Sequence, residues 1–274
     1  MTTIQTSNRF PLLAAIIGVL ILLGLGGYLF WRSDATSGAA ADNDKADMAA
    51  ASAEKALAAA GMNADDRKAT EAVVRAYILA NPEIITEAVE ILQKREIVKR
   101  LDAAGSKLRT PFPGAVAGNA AGDVTVVEFT DYSCSFCRAS LADVQKLVAS
   151  DSGVRVIYRE VPILTAASRD AALWALAAAK QGKHKAFHDA MFAGGRPDEQ
   201  TIKAAAVKAG LDMAAAQKFT ASSEAVAEIE NNLAMMQQVG FSGTPTFVIG
   251  DQILEGALGY DALKAAVAKA RKET

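Results

Sequence analysis

The chain has only two cysteines, and both fall in one short motif, Cys134-Ser135-Phe136-Cys137. Just ahead of it, Val124–Phe129 is a run of β-branched and aromatic residues that reads as a buried strand. Just behind it, Ser135 to about Ala149 reads as a helix. A C-x-x-C at a strand-to-helix junction narrows the choice of folds, because a helix N-terminus must then lie beside two thiols. Unpaired backbone N–H groups at a helix start stabilise an anion. Cys134 is therefore expected to hold a thiolate of lowered pKa and to be the attacking group. Cys137 follows one helical turn later, close enough to close a disulfide and to release a trapped mixed disulfide. Two other readings stand beside this one: half of a zinc or copper site, which needs further Cys or His ligands, and a pair of inert buried thiols. The only histidines, His184 and His188, sit four apart on a predicted helix with no carboxylate evident as a third ligand, so they read as structural. The strand-then-helix context favours redox chemistry.

The hydrophobic pattern continues with a strand at Val154–Arg159 and helical stretches from Ala166 to about Val239. Glycines and turn residues break those stretches at Gln181-Gly182, Gly194-Gly195, Gly210 and Thr220. Trp174, Phe187, Met191 and Phe192 are expected to pack this block, and Met235-Met236 to lie in the core. Strands at Pro245–Ile249 and Gln252–Leu254 flank a Gly250-Asp251 turn, and Asp261–Arg271 closes the chain as a helix. The order is β-α-β, a helical block, then β-β-α. Hydrophobic residues at 51% and charged residues at 22% exclude global disorder. Aromatics at 6% in an alanine-rich chain argue against an all-β architecture. A net charge of -2 gives no whole-chain basic footprint for nucleic acid.

Toward the amino terminus, Phe10–Trp31 has no charged side chain and matches the ~20 apolar residues of a membrane-spanning helix. That exceeds the apolar region of about 7–15 residues in a secretory signal. An uncleaved anchor is expected, with cleavage within Ser37-Gly38-Ala39-Ala40 as the alternative. Ser33 to about Ala60 reads as a mostly flexible tether with nascent helix near its end. Asp65–Ala103 reads as a helical stem divided at Asn81-Pro82-Glu83, where Asn caps and Pro fits the first helical position. Its second helix has a wide apolar stripe interrupted by Gln93-Lys94-Arg95-Glu96. Such a face must be buried, on its own domain or on copies of itself. The expected layout is an anchor over residues 1–32, a linker over 33–60 and a stem over 61–108. The main domain, 109–274, begins near the break at Thr110–Gly114 and has a helical insertion at about 166–240.

Over about Pro113–Arg271 the chain resembles the DsbA-like thiol:disulfide oxidoreductases of the thioredoxin superfamily. The resemblance rests on the C-S-F-C motif, on the helical block between the βαβ and ββα halves, and on Gly243-Thr244-Pro245-Thr246-Phe247 opening a later strand. It implies an α/β thioredoxin fold with an inserted helical domain and no cofactor. It also implies a cis Pro245 facing the cysteines, with Thr244, Pro245, Ser135 and Phe136 meeting the substrate. Glu128, a charge inside an apolar strand, corresponds to an acid that helps proton transfer to the second cysteine. Ser135-Phe136 differs from the Pro-His pair of the strongly oxidising members, and Phe136 supplies no donor to the thiolate, so a less oxidising pair is expected. Thr244 looks like the isomerase branch.

The segment Tyr77-Ile78-Leu79-Ala80-Asn81-Pro82-Glu83-Ile84-Ile85 through Leu92-Gln93-Lys94-Arg95 is similar to the stem of ScsC-like proteins. Some of those oligomerise through it and isomerise disulfides, so a homodimer or homotrimer is expected. Protein disulfide chemistry belongs outside the cytosol. The expected setting is therefore a bacterial inner membrane, crossed once, with the catalytic domain in the periplasm. The expected partners are unfolded or misoxidised substrate proteins and a membrane redox partner that resets the cysteine pair. Isomerase or reductase activity is the leading expectation and a dedicated oxidase its alternative. A membrane-tethered metal-binding or client-binding module is the reading of another class.

Overall fold

The computed structural model describes residues 63–273 without a break, preceded by Met48 and short, mostly helical pieces between 51 and 61. The chain divides into two compact units between Ile85 and Thr86. The first contains helix α1 (Ala64–Ala80). Asn63 caps it, accepting from the backbone of Asp65 and Asp66, and the Asp66 side chain returns a bond to the Asn63 N–H. This reciprocal box satisfies orphan donors of the first turn. Asn81 ends α1, and Glu83 begins α2 (Glu83–Arg109) directly after Pro82. Pro before a first helical turn costs no hydrogen bond.

The second unit is built on a five-stranded sheet of order β1-β3-β2-β4-β5. The strands are β1 (Val116–Gly118), β2 (Val124–Thr130), β3 (Val154–Glu160), β4 (Thr246–Ile249) and β5 (Gln252–Glu255). β2 and β3 run parallel, and the other three pairings are antiparallel. The parallel pair is joined through α3 (Ser135–Ser150). The inserted block comprises α4 (Ala166–Lys180), α5 (His184–Ala193), α6 (Glu199–Lys208), α7 (Met213–Thr220) and α8 (Ser223–Val239). Helix α9 (Tyr260–Glu273) closes the unit.

β2 and β3 are buried on both faces, which explains their near-continuous apolar sequences. One face packs Val126, Val156 and Phe247 against Val144 and Leu147 of α3 and Leu263 and Val267 of α9. The other packs Val127, Phe129 and Ile157 against Leu101, Ala104 and Leu108 of α2 and Met235 and Met236 of α8. Trp174, Phe187, Met191 and Phe192 pack the inserted block, as expected.

Two differences from the sequence reading have physical causes. The second stem helix runs past Ala103 to Arg109, because its last turns are buried on the sheet, and Gly105 alone departs from helical dihedrals at φ 58°. Edge strand β1, only three residues long, was not anticipated: Val116-Ala117-Gly118 has no apolar run to announce it.

The expected N-terminal membrane-spanning helix needs correction as part of the fold class, and with it the single-pass inner-membrane placement. Among the described residues no helix is long and apolar enough to cross a membrane. The longest, α2, has 27 residues but is charged along its length, for example at Glu87, Glu90, Lys94, Arg95, Lys99 and Arg100. Phe10–Trp31, on which that expectation rested, lies outside the described residues. The fold is α/β, a thioredoxin-like sheet with an inserted helical block and a helical stem.

Candidate active site

The motif begins where β2 leaves the sheet. Asp131 fixes the turn: one carboxylate oxygen accepts from the Ser133 N–H at 2.7 Å, and the other accepts from the N–H groups of Ile163 and Leu164 at 2.9 and 3.0 Å. One buried side chain thus ties the cysteine loop to the loop after β3. Ser133 adds a hydroxyl contact to Thr165 at 2.9 Å and accepts from Ser168 at 2.8 Å. None of these six residues was singled out in the sequence. The Asp-x-Ser preceding the first cysteine is the local signal for such a turn.

Cys134 is the N-cap of α3, with extended dihedrals and its sulfur accepting from the Cys137 N–H at 3.4 Å. As a thiol it also donates to the Thr244 carbonyl at 3.1 Å. Both cysteines are free and buried, Cys137 completely. Their thiols are driven in opposite directions. A hydrogen bond from Cys137, with smaller help from Thr244 and the N–H groups of Cys137 and Phe136, lowers Cys134 to about 5 against the opposing cost of burial. Burial, reinforced by the Cys134 sulfur, raises Cys137 far above an ordinary thiol. The result is a readily ionised thiol beside one that holds its proton.

Of the other expected site residues, Thr244, Pro245, Ser135 and Phe136 fall around this pair, and Glu128 lies within the sheet. The Thr244–Pro245 peptide is cis, and the Thr244 carbonyl meets Cys134, as noted. Phe136 is 63% exposed beside the cysteines, and Ser135 is exposed at the first helical position. Ile163 and Leu164, held by Asp131, are also exposed apolar side chains. Glu128 is 2% exposed and pairs across the ladder with Tyr158 and Phe247, so it does not face water. Burial, then the neighbouring charge of Glu160, raises its carboxyl to about 8.

His184 and His188 do have a carboxylate neighbour, which the sequence reading did not find. Glu160 lies within 3.2 Å of His184 Nε2. The Tyr132 hydroxyl donates to Glu160 Oε1 at 3.2 Å and meets His188 Nδ1 at 3.0 Å. Tyr158 packs on both imidazoles, with ring centroids 5.0 and 4.5 Å away. Glu160, His184 and His188 are the one His, Cys, Asp or Glu group among the described residues with metal-like spacing, their ligand-type atoms lying within 4.8 Å of one another. Hydrogen bonds among these side chains and Tyr132 account for that spacing, and all four are buried. We read the group as a hydrogen-bonded core network. Its local sequence carries little signal, since Glu160 ends a strand that also holds Arg155 and Arg159, and its partners Tyr132 and His184 lie 28 and 24 residues away.

Residues 125–268 match the model of the DSBA-like thioredoxin domain, which spans just over half of the chain. Residues 66–96 match that of the copper resistance protein ScsC N-terminal domain. Among solved structures, a thioredoxin-like oxidoreductase from Silicibacter pomeroyi is 44% identical, with TM-score 0.58, covering 61% of this chain and 98% of that one. A linker-deletion mutant of Proteus mirabilis ScsC is 26% identical, with TM-score 0.62, covering 78% of this chain and 98% of that one. The thiol-disulfide exchange protein alpha-DsbA2 from Wolbachia pipientis is 25% identical, with TM-score 0.60, covering 65% and 97%. A curated relative, the Na(+)/H(+) antiporter NhaA 3 of Salinispora tropica, is 29% identical over 160 residues. The match takes in 57% of this chain, and the chain spans about a quarter of the length of the curated relatives it matches. A strand-to-helix C-x-x-C with a lowered first thiol, a cis-Pro loop against it and a helical block between the halves of the sheet are thus joined to direct sequence similarity, and the chain belongs to the family of DSBA-like thioredoxin domains, with an ScsC-type N-terminal stem.

Proposed function

We propose that the protein exchanges disulfides with substrate proteins through Cys134 and Cys137, as an isomerase or reductase rather than a dedicated oxidase. The observation that supports this most is the opposed ionisation of the two cysteines. The Cys134 thiolate attacks a substrate disulfide, a mixed disulfide forms, and one substrate sulfur leaves. Cys137 then attacks Cys134 and frees the second substrate sulfur. Thr244 and Pro245 offer backbone to an extended substrate segment beside the reacting sulfur, a form of strand addition. Ser135 and Phe136 line the approach, and Phe136 presents an apolar ring to unfolded chain. Glu128 accepts and returns the proton of Cys137.

The direction of exchange follows from how far the thiolate is stabilised. A first cysteine at about 5 stands between the ~3.5 of the strong oxidant DsbA and the ~7 of thioredoxin. That position supports an intermediate potential, suited to reshuffling. The described cysteines number only two, so reset after net reduction or oxidation falls to an external thiol or a membrane redox partner.

The stem supports association of copies. Val73, Val74, Tyr77 and Leu79 of α1 are more than half exposed. On our reading they are covered in a homodimer or homotrimer, which would present several cysteine pairs to one substrate. The activity is tested by trapping. Cys137→Ser should accumulate mixed disulfides between Cys134 and unfolded substrate proteins, and Cys134→Ser should accumulate none. Equal trapping by both variants would refute the assignment of attacking and resolving thiols.

A further inference from the structure

The register of the central strands gathers four polar side chains on one face of the sheet. Glu128 and Thr130 are two apart on β2 and therefore share a face. Their ladder partners on β3 are Tyr158 and Glu160. All four are buried. The Thr130 side chain lies beside the Cys137 thiol, and Tyr132 packs in one apolar cluster with both cysteines. Two carboxyl groups thus share a sheet face with Thr130, the side chain that lies beside the Cys137 thiol.

The two acids are held differently. Glu160 Oε1 accepts from Tyr132 and pairs with His184 Nε2. With Tyr132 donating to Glu160, His188 Nδ1 is the nitrogen that donates to Tyr132. Oε2 of each acid has no hydrogen-bond partner among the described residues, and burial raises both carboxyls, so the two differ in the contacts at Glu160 Oε1, where His184 and Tyr132 oppose the rise. A buried carboxylate supplied with donors keeps its charge, and one without them keeps its proton. Two neighbouring buried carboxylates do not both ionise readily, so the geometry assigns the charge to Glu160 and the proton to Glu128.

We propose that Glu160 is a positioning residue for disulfide exchange: clamped by Tyr132 and His184, it is the fixed carboxylate of a pair whose other member, Glu128, carries the proton exchanged with Cys137. This rests on the role given to Glu128 above. When a substrate thiolate attacks Cys134 of the oxidised protein, a substrate–Cys134 bond forms and the Cys134–Cys137 bond breaks. Its electron pair leaves on Cys137, and the Glu128 proton passes to that sulfur. A mixed disulfide, a neutral Cys137 thiol and a Glu128 carboxylate result, and the reverse step returns the proton. The titratable groups facing the pair are Tyr158 from β3, Tyr132 and Asp131 from the turn, Cys137 from α3, and His184 and His188 from α5. Lys185 and Asp189 on α5 act from farther away, on His188 and Tyr158. The Glu160 charge is the second cause, after burial, that holds Glu128 near 8.

The test is a carbon-13 NMR titration of the side-chain carboxyls in the reduced protein. It is paired with the pH profile for reduction of the oxidised protein by a thiol peptide. Wild type should show a carboxyl midpoint near 8 that is absent in Glu128→Gln. Glu160→Gln keeps an acceptor for Tyr132 and His184 but loses the charge. Its Glu128 midpoint should fall by about one pH unit, with an equal shift in the rate profile. Tyr132→Phe removes a donor to Glu160 without changing any charge, and should move the midpoint the same way; it carries the test if Glu160→Gln does not fold. A midpoint unmoved in the folded variants would overturn the proposal while leaving the role of Glu128 standing. A wild-type rate profile in Glu128→Gln would overturn that role and the proposal with it.

Discussion

The stabilised thiolate of Cys134 makes the folding stability of the reduced protein depend on pH in a way the oxidised protein cannot share. Its folded-state pKa of about 5 lies below the 9.0 of an unperturbed thiol. The thiolate therefore stabilises the folded reduced state fully above about 9, and this contribution is lost as pH falls through about 5. At pH 7 the folded state is ionised and the unfolded state is not, over two of the four units between those values. At roughly 1.4 kcal/mol per unit, that is about 3 kcal/mol. By pH 4 almost none remains. Glu128 titrates in the opposite sense, since its raised carboxyl weakens the fold once an unfolded carboxylate would ionise. We take that contribution to be common to both redox forms, so it cancels in their difference. The assay is urea unfolding of the reduced and oxidised proteins from pH 4 to 7, with Cys134→Ser as control. The stability of the reduced form relative to the oxidised form should rise by about 3 kcal/mol from pH 4 to pH 7. It should stay flat when Cys134→Ser is compared with the same oxidised reference. A wild-type difference that changes by less than about 1 kcal/mol would refute the reasoning that the helix start and Cys137 hold a thiolate.

Further outcomes follow from particular contacts. Arg159 is buried, donates to the carbonyls of Lys107 and Thr110 at the end of α2, and pairs with Glu228 at 3.0 Å. Arg159→Met should cost about 3 kcal/mol in denaturant unfolding, because Glu228 and the carbonyls lose their partner. Phe136→His places a donor near the Cys134 sulfur. If it lowers that thiol by about one unit, the reduction potential should rise by about 30 mV, read by glutathione equilibration. Sedimentation of the protein should show association that Val74→Lys with Leu79→Lys weakens, and a wild-type monomer at high concentration would remove the proposed role of the stem.

The β-α-β and β-β-α halves were legible because β2, β3 and β4 are largely buried on both faces, so β-branched and aromatic residues dominate them between Gly, Asp and Ser turns. The cysteine pair was legible because its meaning depends on local order alone: strand, turn, helix start. Glu128 stood out as a charge where burial was expected. Glu160 and Asp131 did not, because their roles depend on partners 24 to 33 residues away, which no local pattern encodes. For the same reason the histidine pair read as lacking a carboxylate, though the strand register brings one to it. Edge strand β1 has no side-chain signature, since its three residues are ordered by the ladder to β3. The end of α2 depends on tertiary burial of Leu101, Ala104 and Leu108, which carries helix past Ala103 across the kink at Gly105.

The central claim is that Cys134 and Cys137 form a reversible disulfide of intermediate potential, and its most direct test is redox equilibration of the protein in glutathione buffers. The account predicts a single two-electron transition between about -180 mV, the value of protein disulfide isomerase, and about -270 mV, that of thioredoxin. A potential near about -120 mV would contradict the isomerase or reductase assignment in favour of a dedicated oxidase, and failure to form the intramolecular disulfide at all would contradict the exchange mechanism itself.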